Sequence, residues 1–281
     1  PGDVVILNVE ASELTLSGGD FATRLQLADP SNLPTLEFPS SYAGRLPATE
    51  FSTVLGSVRY ASAVAEYQAI FRGVKLEFSN ERTRAIATDG FRLAYADANT
   101  TSGLDAEVII PARTVDEIIK AIGTGDVEIA IDDAHVSLKT PTMRFNAKRM
   151  DGTFPDYRRV IPSVFPVAVT LDADELRDAV GRVAVMADKT ANNRVDLFIK
   201  DGTLQITAEG AYGHSQEALS VQQEGSDPEI ALAYNAKYLT DALGPLQGVI
   251  RAAFSGSTAP SLLSHPDRDD YLAMVVPLRT G

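Results

Sequence analysis

Three stretches of the sequence hold side chains whose types and spacing suit chemistry. IAIDDAH (Ile129–His135) sets the carboxylates Asp132 and Asp133 beside His135, the residue types of general acid–base work. Neighbours in a strand point to opposite faces, so Asp132 and Asp133 cannot act there as a facing pair; in a turn they are solvated. DGTFPDYRRVIP (Asp151–Pro162) places two adjacent arginines between Pro155 and Pro162, and guanidinium forks recognise carboxylates and phosphates. The segment suits neither a strand nor a long helix, and Pro155-Asp156 reads as a turn. The third set is a scatter of basic residues along amphipathic stretches, which would neutralise phosphates if they shared a face. No Gly-rich phosphate loop, nucleophile elbow or metal motif accompanies any of these. With no cysteine and only His135, His214 and His265, neither a disulfide nor a His/Cys metal site is expected. A carboxylate enzyme is thus the weaker reading: no catalytic residue, cofactor or metal is expected.

The elements that position these residues must come from a chain of 281 residues, 44% hydrophobic and 22% charged. Those are globular proportions, and the length suits two domains and part of a third. No apolar run reaches the length of about 18 residues that a membrane span needs. The opening PGDVVILNVE lacks the basic start and long apolar core of a signal peptide, so a cytoplasmic protein is expected. The net charge of −13 argues against nucleic acid if taken whole. Local binding, however, depends on where the 25 basic residues lie.

The sequence repeats itself. Phe51, Val54, Leu55 and Val58 are spaced as the buried stripe of a helix, and Leu176, Ala179, Val180 and Val183 repeat that stripe 125 residues later. Alternating strands follow each: Val74, Leu76 and Phe78, then Ala85 and Ala87; Val195, Leu197 and Ile199, then Leu204 and Ile206. A second helix carries Val115, Ile118, Ile119 and Ile122 in one copy and Leu239, Ala242 and Leu243 in the other. Short strands close both copies. The unit is about 120 residues with two helices and six to eight strands, over roughly 45–162 and 166–281. Residues 14–34 track the end of such a copy, with Leu33-Pro34 standing where Phe154-Pro155 stands. Residues 1–44 therefore read as the tail of a further copy, whose front this sequence lacks.

Helical periodicity assigns faces to the basic residues. Arg113 and Lys120 project away from the stripe of the helix near 112–122, and Lys237 takes the place of Arg113 in the partner helix. Arg177 and Arg182 lie off the stripe near 172–186, Lys189 follows it, and Arg59 flanks the helix near 48–60. Glu77, Glu128, Asp132, Asp133, Glu217 and Glu224 fall in strands and hairpins. Taken singly, such cations are solvated surface. Taken together they predict a basic helix side and an acidic sheet side, a layout that holds DNA phosphates loosely without reading bases.

ATDGFRLA (Ala87–Ala94), DGTFPDYRRVIP (Asp151–Pro162), YNAKYLTDAL (Tyr234–Leu243) and MVVPLRT (Met274–Thr280) together resemble the bacterial sliding clamp family, the beta subunit of DNA polymerase III. The resemblance covers nearly the whole chain in order. It implies an α+β fold of tandem clamp units, each of two helices packed on antiparallel sheets, with helices inside and sheets outside a ring. It places a remnant of a first domain at 1–44, a second domain at 45–163 and a third at 164–281. It implies a head-to-tail homodimer closed by edge strands, to which Phe21–Leu27 would contribute through Leu25. It implies partners too: double-stranded DNA bound without sequence preference, the polymerase III alpha subunit, the clamp loader, and other polymerases and repair proteins carrying clamp-binding peptides, with no membrane.

Position by position, the family's peptide cleft maps here onto Phe71, Thr88, Gly90, Phe91, Arg92 and Leu93 of the second copy. Pro155, Arg159 and Val160 come from the connector, and Pro260, Met274, Val276, Pro277 and Leu278 from the third copy. The DNA-facing residues would be Arg59, Arg113, Lys120, Arg177, Arg182, Lys189 and Lys237. Phe91 departs from the family's usual His and Phe71 from a smaller aliphatic, which predicts a more aromatic cleft. Asp89-Gly90 is also simply a hairpin-turn signal, and a turn can serve as a pocket rim. The implied function is a non-catalytic processivity clamp in the bacterial cytoplasm at the nucleoid. The alternative is a protein-binding scaffold that does not encircle DNA.

Overall fold

The computed structural model describes residues 4–32, 36–65 and 69–279. Leu33-Pro34 and Thr280 lie outside the described residues. The chain falls into two units, Pro1–Phe38 and Pro39–Gly281.

In the first unit β1 (Ile6–Glu10), β2 (Glu13–Gly18) and β3 (Phe21–Gln26) form an antiparallel meander in that order. Gly18 pairs with Phe21, so Gly19 and Asp20 make the turn, and Gly19 takes the positive φ of 59° that such a hairpin needs. Ile6, Leu7, Val9, Phe21 and Leu25 are exposed.

In the second unit the first half runs β4 (Gly44–Pro47), α1 (Ala48–Arg59), β5 (Gly73–Phe78), β6 (Thr83–Thr88), β7 (Arg92–Asp97), β8 (Ala106–Pro111), α2 (Ala112–Ala121), β9 (Asp126–Ile131), β10 (His135–Lys139) and β11 (Arg144–Lys148). The second half runs β12 (Val167–Asp172), α3 (Ala173–Val183), β13 (Arg194–Lys200), β14 (Thr203–Gly210), β15 (Gly213–Ser220), β16 (Gln222–Glu224), β17 (Glu229–Asn235), α4 (Ala236–Leu243), β18 (Val249–Phe254), β19 (Ser261–Ser264) and β20 (Tyr271–Val275). Apart from the short β16, the order of the first half recurs in the second. Corresponding contacts recur as well: Ala48 N–H donates to Gly125 O, and Ala173 N–H to Gly248 O, both at 2.8 Å. The first two helices follow prolines, whose fixed φ suits a helix entrance. The other two carry side-chain caps, Asp172 accepting from Asp174 N and Glu175 N, and Asn235 from Lys237 N and Tyr238 N.

Strand order explains how the halves join. One sheet is β11-β10-β9-β4 and another is β15-β14-β13-β17. The third has nine strands, β16-β12-β18-β19-β20-β7-β6-β5-β8, and is continuous across both halves because β20 pairs antiparallel with β7. Along that seam Met274 opposes Leu93 and Val275 opposes Arg92.

The period of two in a strand gives this sheet two different faces. One face, with Val74, Leu76, Ala85, Ala87, Ala94, Val108 and Ile110, joins the main core with the apolar stripes of the helices. The other face, with Ile86, Leu93, Ile109, Leu262 and Met274, forms a second cluster with Phe154 and Tyr157 of the connector. The connector thus lies across the sheet face that the helices leave open.

Candidate functional site

A cavity of about 230 Å³ opens at the seam. Phe71, Thr88, Gly90 and Leu93 line it from the first half, Pro260, Met274 and Val276 from the second, and Phe154, Pro155, Asp156, Tyr157 and Val160 from the connector. Strand register accounts for the floor, since Leu93 and Met274 are cross-strand partners on one face. Thr88 stands at the end of β6, where its hydroxyl donates to Arg92 O at 2.7 Å. Asp89 Oδ1 accepts from Phe91 N and Arg92 N, and Gly90 takes φ 88°, so the Asp89-Gly90 hairpin tip is also the rim. Phe71 meets Phe154 edge to face at 6.2 Å. The walls are apolar with Asp156 as the single charged lining residue, which suits a few apolar side chains of a partner.

The structure brings nine of the sequence-derived cleft residues to this cavity and leaves five outside its lining: Phe91, Arg92, Arg159, Pro277 and Leu278. Arg92 lies on the other face of the sheet from the cavity floor. It alternates with Leu93, so its side chain goes to the helix face, where it holds Asp89 at 3.0 Å and Asp241 at 2.7 Å and lies over the Tyr238 ring. Phe91 is 55% exposed beside the rim. The Arg159 side chain is 84% exposed and among the described residues pairs with Asp156, at 3.3 Å. Pro277 and Leu278 continue past the cavity, Leu278 N–H donating to Ala233 O. Phe154, Asp156 and Tyr157 were missed, although Phe154 and Tyr157 flank the quoted Pro155-Asp156 pair, and aromatic residues in a proline-stiffened connector were the available signal.

The connector makes one turn of 3-10 helix, Tyr157–Val160, capped by Asp156. Beneath it lies a polar network on the sheet face. Arg158 donates to Glu77 at 2.8 Å, and Glu77 also accepts from Lys75 at 2.8 Å. Tyr157 Oη donates to Glu77 and accepts from Arg84, each at 3.2 Å. Arg84 forks onto Asp97 with two bonds of 2.6 Å. Burial alone would raise the Glu77 carboxyl, but hydrogen bonding and charge from Lys75, with the Arg158 charge, outweigh it and hold the carboxyl below the usual range. Burial pushes the Tyr157 phenol up against the pull of Arg84.

The expected division into basic helices and acidic sheets is not what the structure has. The helices carry Arg59, Arg113, Lys120, Arg177, Arg182 and Lys237, but also Glu50, Asp116, Glu117, Asp174, Glu175, Asp178 and Asp241. Most of the seven proposed DNA-facing cations are paired: Arg59 with Asp116 at 2.7 Å, Lys120 with Glu117 at 3.0 Å, Arg177 with Asp174, Arg182 with Glu217 at 2.6 Å and Lys237 with Asp241 at 2.9 Å. For Lys120, Arg177 and Lys237 the spacing that keeps the cation off the apolar stripe also brings it within reach of an acid three or four residues away, whereas Arg59 and Arg182 pair across elements. Arg113 and Lys189 are exposed, with no carboxylate at ion-pair distance among the described residues. Asp132 turns out to cap the hairpin between β9 and β10, accepting from Ala134 N and His135 N at 2.7 Å, and these bonds lower its carboxyl.

Residues 45–156 match the DNA polymerase III beta subunit, central domain, and residues 158–279 match its C-terminal domain. The chain belongs to the DNA polymerase III beta-subunit family, the sliding clamps. The beta sliding clamp of Pseudomonas aeruginosa is 29% identical over 287 residues, covering 99% of this chain and 77% of that protein. That of Bacillus subtilis is 27% identical over 257 residues, covering 89% and 67%. Among solved structures, the P. aeruginosa clamp bound to griselimycin superposes with a TM-score of 0.88 at 27% identity, over 98% of this chain and 76% of that one. The Thermotoga maritima beta subunit gives 0.90 at 26% identity, over 100% and 77%. A family of beta sliding clamps is one of non-catalytic processivity factors in DNA replication, consistent with Asp132 and Asp133 serving a turn. No helix among the described residues is long and apolar enough to cross a membrane.

Proposed function

We propose that this member of the clamp family encircles duplex DNA and tethers the replicative polymerase and other partners through peptides inserted in the cleft at the β7–β20 seam. The observation that carries the reading is the apolar cavity itself, closed on one side by the connector and placed where the two halves share a sheet. The domains would run 1–44, 45–163 and 164–281. The P. aeruginosa clamp binds griselimycin, and we expect the same compound to bind here. The partners would be the polymerase III alpha subunit, the clamp loader, and polymerases and repair proteins with clamp-binding peptides, met in the cytoplasm at the nucleoid. The sheets end at β3 and β15, each paired on one side only among the described residues. Pairing of β15 with β3 of a second copy would close the head-to-tail ring. Inside it, Arg59, Arg113, Lys120, Arg177, Arg182, Lys189 and Lys237 would meet phosphates through weak contacts that leave the ring free to slide.

The decisive test is retention on DNA, using the protein with its clamp loader. Protein loaded on a nicked circle should stay through gel filtration and leave when the circle is cut once. Equal loss from circle and linear DNA would reject encirclement. The pairing of most helix cations with carboxylates favours a second reading, a scaffold that binds peptides without DNA. That reading predicts peptide binding with no retention on either form.

A further inference from the structure

Tyr157 has two jobs in one side chain. Its ring lines the cleft, the residue is 3% exposed, and its hydroxyl reaches the sheet below. The hydroxyl donates to Glu77 Oε2 and accepts from Arg84 Nη1, each at 3.2 Å. Neither partner is free to move. Arg84 is forked onto Asp97, and its guanidinium lies 3.8 Å from the centroid of the Tyr95 ring. Glu77 is held by Lys75 and Arg158, and Lys75 also pairs with Glu107 at 2.9 Å. Three cations and three carboxylates thus balance beneath the connector. Apart from the exposed Glu107 and the half-exposed Arg158, their side chains lie at 9–16% exposure.

We propose that Tyr157 is the positioning residue of the cleft. Through Glu77 and Arg84 its hydroxyl fixes the wall Phe154–Val160 against the sheet, so that the cavity exists before a peptide arrives. The inference rests on the cleft reading above. Two observations support it. Besides these two bonds and the ion pair from the half-exposed Arg158 to Glu77, the connector meets the sheet through apolar contacts of Phe154 and Tyr157, which fix depth but not position along the strands. The two hydrogen bonds supply that position, because hydrogen bonds to charged groups are directional and short in range. A wall free to slide would fill its binding shape only part of the time, and apparent affinity falls by that fraction.

The test is Tyr157→Phe, which keeps the ring and removes the hydroxyl. Binding of a short fluorescent peptide carrying a Leu and a Phe should weaken by about fivefold, as for a wall in its binding shape a fifth of the time. The chain has four methionines, and Met274 alone lines the cleft. In a spectrum of 13C-methyl-labelled methionine, the Met274 signal should shift or split in the variant while those of Met143 and Met186 stay. General destabilisation would move none of these selectively. Arg158→Gln, on a side chain 52% exposed, should shift Met274 the same way by a smaller amount, and it decides the matter if Tyr157→Phe fails to fold. An unchanged Met274 signal with unchanged peptide affinity overturns the proposal. If the unaltered protein binds no peptide, the cleft reading fails, and the Met274 signal still decides whether Tyr157 sets the wall.

Discussion

Arg92 Nη1 donates to Asp241 Oδ2 at 2.7 Å, joining side chains 149 residues apart in the chain. The same guanidinium holds Asp89 and lies 4.3 Å from the Tyr238 ring and 5.5 Å from the Tyr60 ring. Tyr60 in turn meets Tyr271 at 2.9 Å. The seam between the halves therefore closes on one nearly buried cation, on the sheet face opposite the cleft. Removing one partner of a buried pair leaves the other charge uncompensated, at a cost of about 3–5 kcal/mol. Lys237 also reaches Asp241, so Arg92→Ala should fall near the low end of that range, read as a lower urea midpoint at constant m-value. Arg92→Met keeps the aliphatic stem and should recover part of the loss. A midpoint unchanged in Arg92→Ala would mean the seam is held by the β7–β20 ladder alone.

Cleft residues and rim residues should separate in binding kinetics. Met274→Ala removes an anchor from the cavity floor and should weaken peptide affinity by about 1–3 kcal/mol, mainly through faster dissociation. Arg159 stands outside the lining, so Arg159→Ala should act on association rate and its salt dependence instead. Stopped-flow measurements at two salt concentrations distinguish them. Equal effects on dissociation would place Arg159 in the binding surface proper.

Much of this fold is legible in the sequence because the repeat is written in apolar spacing. Phe51, Val54, Leu55 and Val58 all become core, as do their counterparts 125 residues on. Faces are harder to read than elements. Arg92 and Leu93 sit in one quoted motif, yet alternation sends one to each side of the sheet, and only the pairing of β7 with β20 says which side is the cleft. Charge layout was the least legible. Helical periodicity shows that Arg177 and Lys237 avoid the core, but not that Asp174 and Asp241 will take up their charge. The double arginine of the connector divides its labour in a way spacing does not reveal, Arg158 holding the sheet and Arg159 facing solvent.

The network under the connector gives the cleft an acid limit. The Glu77 carboxyl is held below its usual range in the folded protein. A depressed carboxylate adds stability that is present above the unfolded-state value and lost as pH falls through the ordinary carboxylate range toward the folded value. Lowering pH from about 6 toward 3 should therefore release the connector. The Met274 methyl signal should move along that titration, and Glu77→Gln should remove this component. A titration identical in the variant would assign the acid effect to other carboxylates.

The unpaired cations should matter most for DNA. Arg113 and Lys189 have no carboxylate at ion-pair distance among the described residues, whereas Arg182 and Lys237 are engaged by Glu217 and Asp241. Neutralising an unpaired cation at a phosphate should reduce the salt slope of DNA binding by about 0.9 per contact. The double variant Arg113→Gln/Lys189→Gln should show that reduction. Arg182→Gln/Lys237→Gln should show less, because those charges are already compensated. Equal losses from both pairs would mean that the internal ion pairs open when DNA binds.

Association between copies should have its own signature near β15, whose outer edge is unpaired among the described residues. Val185 is 77% exposed and Tyr212 is 98% exposed, and with Met186 they line one surface hollow beside the β14–β15 hairpin. An edge strand next to exposed apolar side chains is a template for pairing with another chain. Sedimentation velocity should show the average mass of the unaltered protein rising with concentration. Val185→Lys puts a charge at that surface without touching the core, so the thermal midpoint should hold while the mass stays at one chain. The lysine acts here as edge charges do elsewhere, by making close approach of a second strand costly. An unaltered protein that stays at one chain across the whole concentration range would remove the head-to-tail ring for this chain. A Val185→Lys variant that associates as well as the parent would move the interface away from β15.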